Sequence, residues 1–169
     1  MIMERYWAMA NHNTFLIKPI REFVKKNIFN LDLVIDPFAR GSKLASITND
    51  LNPNFNTDYN LEALDFLKMF EDNSIDCVLF DPPYSLRQVK ECYNSIGIDN
   101  MTQHQSKHFY SDLKNEISRI IKPKGLVLSF GWNTVGMGKV RGFKLEEIVL
   151  VCHGGNHNDT ICLKERKEV

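Results

Sequence analysis

Four consecutive residues, Asp81-Pro82-Pro83-Tyr84, carry the groups in this chain best suited to chemistry. They bring a carboxylate, a main-chain carbonyl and a phenol ring together on a stiff path. Each proline fixes its φ at about −65° and donates nothing to a sheet ladder. The chemistry these groups suit is activation of an amine. An exocyclic amine on a nucleobase is a poor nucleophile, because its lone pair is delocalised into the ring. Two acceptors on its two hydrogens, the Asp81 carboxylate and the Pro82 carbonyl, would localise that pair and favour a tetrahedral nitrogen. This is electrostatic preorganisation toward charge that develops during reaction. The Tyr84 ring beside them can stack on the base, worth about 1–3 kcal/mol.

The surrounding elements say where these groups sit. Cys77-Val78-Leu79-Phe80 directly precedes them, a short apolar run bounded by charge and proline, and reads as a buried strand ending at Asp81. In open α/β sheets ligands bind at the carboxyl ends of strands. Upstream, apolar residues at 61, 64, 67 and 70, with 63 and 66, mark one face of a helix over residues 61–70. Glu71-Asp72-Asn73-Ser74 supplies the turn into the strand. Helix, polar turn, buried strand and Asp-Pro-Pro-Tyr in that order resemble the S-adenosylmethionine-dependent amino methyltransferases, chiefly the N6-adenine DNA enzymes. The resemblance runs from residue 15 to residue 163, and only Asp-Pro-Pro-Tyr is specific.

The resemblance implies an α/β fold. It would be a class I, Rossmann-like methyltransferase sheet with a C-terminal antiparallel hairpin and a compressed first βα unit. Residues 1–169 would form one domain, with residues 1–13 an N-terminal arm and residues 85–108 a substrate loop. S-adenosylmethionine is the cofactor it implies. After a strand at residues 31–35, Asp36-Pro37-Phe38-Ala39-Arg40-Gly41-Ser42 resembles the family's first cofactor loop. One departure matters. Leu44-Ala45-Ser46-Ile47-Thr48 follows almost at once, whereas parallel neighbours need a crossover of a dozen or more residues. Either an extended link replaces the crossover helix, or this segment is not the usual second strand.

Asp50, with Asn52 beside it, is the candidate for the cofactor ribose, since an acidic residue past a strand commonly accepts from ribose hydroxyls. Asp58 and Glu62 compete for the place beside the cofactor adenine, at the start of the helix. On the substrate side stand Arg87 and Gln88 after the motif, Trp132 and Asn133 at the end of the strand at residues 126–130, and Lys139 and Arg141 in a glycine-rich basic stretch. Asp81, Pro82, Pro83 and Tyr84 are the catalytic candidates.

The remaining segments fit the same order. Residues 15–24 read as a helix with Pro19 in its first turn, in the place of the family's amino-terminal motif that helps enclose the cofactor's methionine end. Phe109, Leu113, Ile117, Ile120 and Ile121 repeat at helical spacing, and Lys122-Pro123-Lys124-Gly125 stops that helix. Residues 146–152 and 160–164 read as a hairpin around the turn-rich tip at 153–159.

Composition narrows the class. The chain has 169 residues, 43% hydrophobic and 25% charged, enough for one core. Lys+Arg and Asp+Glu are both 21, so the net charge is zero and gives no independent support for gripping nucleic acid. The four cysteines have no paired spacing, and neither they nor the histidines match a metal site, so no metal is expected. There is no signal-like or membrane-spanning apolar run, which makes cytoplasmic the default and a membrane partner unexpected.

The expected partner is nucleic acid, DNA ahead of RNA, with a homodimer or a partner subunit left open. The family's separate target-recognition region has no room here, which implies loose or short sequence selectivity and a preference for single-stranded or distorted substrates. RNA adenine, cytosine N4 and a non-catalytic partner subunit stay open as alternatives.

Overall fold

Val34, Ile35, Val78, Leu79, Val127 and Leu128 are buried on both faces of their strands, as the middle of a parallel sheet covered on two sides requires. The computed structural model describes every residue from Met1 to Val169. Seven strands form one sheet: β1 (Ile2–Trp7), β2 (Val34–Asp36), β3 (Ile47–Thr48), β4 (Ile75–Phe80), β5 (Ile121–Gly131), β6 (Phe143–Cys152) and β7 (Thr160–Lys167), in the spatial order β1-β6-β7-β5-β4-β2-β3. Only β7 is antiparallel to its neighbours, β5 and β6. The helices are α1 (Lys18–Ile28), α2 (Ala63–Lys68), α3 (Leu86–Ser95) and α4 (Phe109–Ile120). Ile20, Phe23 and Val24 of α1 pack on one sheet face; α2, α3 and α4 pack on the other. No helix is long and apolar enough to cross a membrane.

The compressed first unit takes the first of the two forms left open above. β3 pairs in parallel with β2 through Ile35–Ile47 and Asp36–Thr48, and residues 37–46 join them without a helix. Turn hydrogen bonds hold this link: Ala39 N–H donates to the Asn49 carbonyl and Ser42 N–H to the Ala39 carbonyl. The strand itself is only Ile47–Thr48, shorter than residues 44–48.

Three other expectations need correction. Residues 1–13 are not simply an arm, because Ile2–Trp7 forms the edge strand β1, parallel to β6. α2 is Ala63–Lys68 rather than residues 61–70. Leu61 is held outside the helix, its N–H donating to Asn49 Oδ1 and its carbonyl accepting from Asn49 Nδ2. β5 begins at Ile121, so residues 122–125 belong to the strand rather than to a turn. The price is an irregular ladder, with a register shift against β4 and Lys124 at a φ of 67°.

Candidate active site

β4 delivers Asp81, Pro82, Pro83 and Tyr84 to the carboxyl edge of the sheet, where they form one wall of a cleft of about 600 Å³. Tyr84 O–H donates to Asp81 Oδ1 at 2.7 Å. A cap fixes this geometry. Ser85 Oγ accepts the Gln88 N–H at the start of α3, and Gln88 Oε1 accepts the Tyr84 N–H at 2.7 Å, a variation on reciprocal helix capping. Trp132, at the end of β5, meets the Tyr84 ring edge-on with centroids 5.4 Å apart. Tyr110 O–H donates to the Pro83 carbonyl, while the Pro82 carbonyl takes no hydrogen bond from the protein. Burial raises the Asp81 carboxyl above its ordinary value, opposed by the Tyr84 and Thr14 hydroxyls. Burial and the neighbouring Asp81 push the Tyr84 phenol up in turn.

The opposite wall comes from the first loop and the residues after β3. Pro37, Phe38, Asp50, Asn52 and Glu62 all line the cleft. Asp50 Oδ2 accepts the Arg40 N–H and Oδ1 the Asn52 N–H, so the side chain braces two turns at once. Arg40 sits at a φ of 50°, a conformation ordinary for glycine, and its Nη1 donates to the His12 carbonyl, tying the first loop to the amino-terminal segment. Glu62 Oε1 accepts from Tyr93 O–H and Oε2 from Gln105 Nε2. Asn49 is the buried joint of this wall, its Nδ2 donating to the Pro37 carbonyl as well as to that of Leu61.

Several sequence candidates fall elsewhere. Asp58 is exposed and accepts from the Thr48 N–H and hydroxyl, outside the cleft, so Glu62 alone of that pair lines it. Arg87 lies on the outer face of α3, paired with Glu91 at 2.9 Å. Asn133 lines a smaller pocket behind Pro82 and Pro83 rather than the main cleft. Lys139 and Arg141 lie at the amino edge, next to the start of β6, where Arg141 Nε donates to Asn115. The glycine-rich stretch before them offers its Met137 and Gly138 amides to the Glu165 carboxylate.

Asp36 is fully buried behind the cleft wall. Its Oδ1 accepts the Phe38 N–H, and its Oδ2 has no partner. Burial, with Asp81 and Asp50 nearby, holds its carboxyl well above the usual range. The folded protein therefore takes up this proton at a higher pH than the unfolded chain does. Stability falls as pH rises from the ordinary value through the raised one. An Asp36→Asn variant should flatten that decline: urea unfolding at mildly acidic and neutral pH should differ less than in the parent.

Thr14, Arg40 and Tyr93 also line the cleft, and no local pattern in the sequence singles them out. His153 and His157 match no metal site, yet both line the cleft from the β6–β7 tip. His153 is buried, its Nδ1 facing the Ala8 carbonyl and its Nε2 the Thr160 hydroxyl. A hairpin leaving β6 at its carboxyl end must place its tip on this edge, and that was the available signal.

Strand order, the lone antiparallel strand and a cleft at the carboxyl edge together define the class I, Rossmann-like methyltransferase fold. No protein-family model matches this chain, and no curated protein matches its sequence. Solved structures share its architecture. A SAM-dependent methyltransferase from Archaeoglobus fulgidus aligns with a TM-score of 0.61 at 11% identity, over 89% of this chain and 92% of that one. The 1,6-didemethyltoxoflavin-N1-methyltransferase of Burkholderia thailandensis, solved with S-adenosylhomocysteine, aligns with a TM-score of 0.59 at 11% identity, over 90% and 78%. TrmN from Thermus thermophilus aligns with a TM-score of 0.60 at 16% identity, over 90% of this chain and 49% of its own. At these identities the likeness establishes the fold.

Proposed function

We propose that this protein transfers a methyl group from S-adenosylmethionine to the N6 amine of adenine in DNA. The observation that carries the reading is the pair of acceptors at the end of β4. The Asp81 carboxylate and a Pro82 carbonyl free of protein donors stand on one cleft wall, with the Tyr84 ring beside them. An amine with one hydrogen on each acceptor would have its lone pair localised, and the two prolines hold that geometry before any substrate arrives. The Tyr84 O–H must leave Asp81 Oδ1 for the amine to use that oxygen.

The opposite wall suits the cofactor, which supplies an electrophilic methyl on a sulfonium. Asp50 and Asn52 would meet its ribose, and Glu62 the edge of its adenine. Pro37 and Phe38 would flank it, with Asp36 behind them holding an unshared carboxylate oxygen. The structural neighbours solved with S-adenosylhomocysteine support the cofactor assignment. Gln88 and Trp132 border the substrate side of the cleft.

The test is nucleoside mass spectrometry after treating DNA and RNA with protein and labelled cofactor. N6-methyladenine from DNA is the expected product, formed faster on single-stranded than on duplex oligonucleotides because unstacking a base costs a few kcal/mol. Label on cytosine or in RNA alone would redirect the reading. A long recognition site with strong duplex preference would contradict the substrate preference.

A further inference from the structure

A second pocket of about 70 Å³ lies across the Pro82-Pro83 wall from the cleft and shares Tyr84 and Trp132 with it. α4 brings Tyr110 and Lys114, one turn apart, to this pocket, and β5 brings Ser129. Three of its polar side chains have donor groups without a partner in the protein. Ser129 is 7% exposed, and its Oγ is buried with no hydrogen-bond partner. Asn133 also lines the pocket; its Oδ1 accepts the Val135 N–H, and its Nδ2 has no hydrogen-bond partner within the protein. Burial and the nearby Arg141 lower the Lys114 ammonium. The acid that acts on it, Glu165, spends both oxygens on the Met137 and Gly138 amides. Tyr110 is already used on the Pro83 carbonyl.

An unpaired ammonium, a buried hydroxyl without a partner and an amide with N–H groups to spare, all on residues that line one small cavity, are a donor set that suits a tetrahedral oxyanion. We infer that this pocket is a phosphate subsite, in which Lys114, Ser129 and Asn133 hold a phosphate of the substrate strand beside the target nucleotide. The inference rests on the nucleic-acid reading above. It explains how a chain of zero net charge can grip a polyanion: one phosphate is placed next to the reacting edge in a built pocket, without a basic face. It also makes Lys114 a positioning residue, which touches the substrate backbone and not the reacting atoms.

The experiment is fluorescence anisotropy of a labelled single-stranded oligodeoxynucleotide across a salt titration, with calorimetry of inorganic phosphate alongside. Lys114→Gln should weaken oligonucleotide binding and reduce the slope of log K against log salt by about 1, the signature of one lost phosphate contact. Lys114→Arg, which keeps the charge, should keep the slope, and Ser129→Ala should weaken binding without changing it. An unchanged slope in Lys114→Gln overturns the subsite while leaving the methyltransferase reading intact. Phosphate binding that depends on Lys114, with no effect on the oligonucleotide, assigns the pocket to free phosphate and overturns its role in strand binding. A parent protein that binds neither probe overturns the subsite, and failure on every nucleic acid counts against the proposed substrate as well.

Discussion

Replacing Asp81 with Ala should lower methyl transfer by about 10²–10³-fold, the range seen when one preorganised partner of a developing charge is removed. Cofactor affinity, read by calorimetry, should change little, because Asp50, Asn52 and Glu62 stand on the other wall. The loss should fall on turnover. In the proposed mechanism Asp81 acts on the amine as its charge changes, while the Tyr84 ring and the rest of the cleft would still hold the base. Tyr84→Phe makes the informative partner. It keeps the ring and removes the hydroxyl that occupies Asp81 Oδ1, so it should cost far less than Asp81→Ala. The pH profile should carry the same signature. Asp81 must be ionised to accept, and burial raises its carboxyl, so the acid limb of the rate should lie above that of an ordinary aspartate. An Asp81→Ala enzyme with parental turnover would remove the basis of the proposed mechanism.

The second large effect is on stability. Phe66→Ala should destabilise the fold by about 3–5 kcal/mol, the range for truncating a buried phenylalanine. Phe66 is fully buried on α2, with the Tyr59 and Phe70 rings at centroid distances of 5.7 and 5.2 Å. α2 is a single short helix, Ala63–Lys68, and helices that short have no stability of their own. Packing through Phe66 and Leu67 is what holds it. The loss is large beside a total stability of about 5–15 kcal/mol, and urea denaturation would measure it as a lower midpoint at unchanged slope. Glu62 immediately precedes α2, so the variant should also bind cofactor more weakly under conditions where it remains folded. A small change in midpoint would show that the surrounding core collapses onto the gap.

What could be seen from sequence follows from where the signals are local. β4 and its Asp-Pro-Pro-Tyr exit are legible because an apolar run and two prolines act within a few residues. α4 is legible because Leu113, Ile117 and Ile120 repeat on one face. β1 is not legible. Glu4 and Trp7 both reach solvent from an edge strand with no helix over it, so no period-2 burial pattern exists to find. The apolar pattern overruns α2 because Leu61 and Phe70 continue it, while the side chain that excludes Leu61, Asn49, comes from a distant turn.

The misplacement of Lys139 and Arg141 has a different cause. β6 runs parallel to β1 and antiparallel to β7, in the same direction as β5, so the link between β5 and β6 must travel the whole height of the sheet. Residues late in that link therefore sit at the edge opposite the site. Strand direction, which no residue type announces, decided their position. Pocket-lining candidates such as Trp132 and Gln88 escaped this problem because Trp132 directly follows β5 and Gln88 lies in the first turn of α3, the first helix after β4.

The pairing of β1 with β6 sets the order in which the molecule can be completed. Ile2 lies beside Glu147, so this edge cannot close until residue 147 has been made. The segment that follows β1 carries Ala10, Asn11, His12 and Thr14 over the mouth of the cleft. This wall of the cleft thus takes its place only after the strands between β1 and β6 exist, so closure of the cleft depends on a contact of long sequence separation.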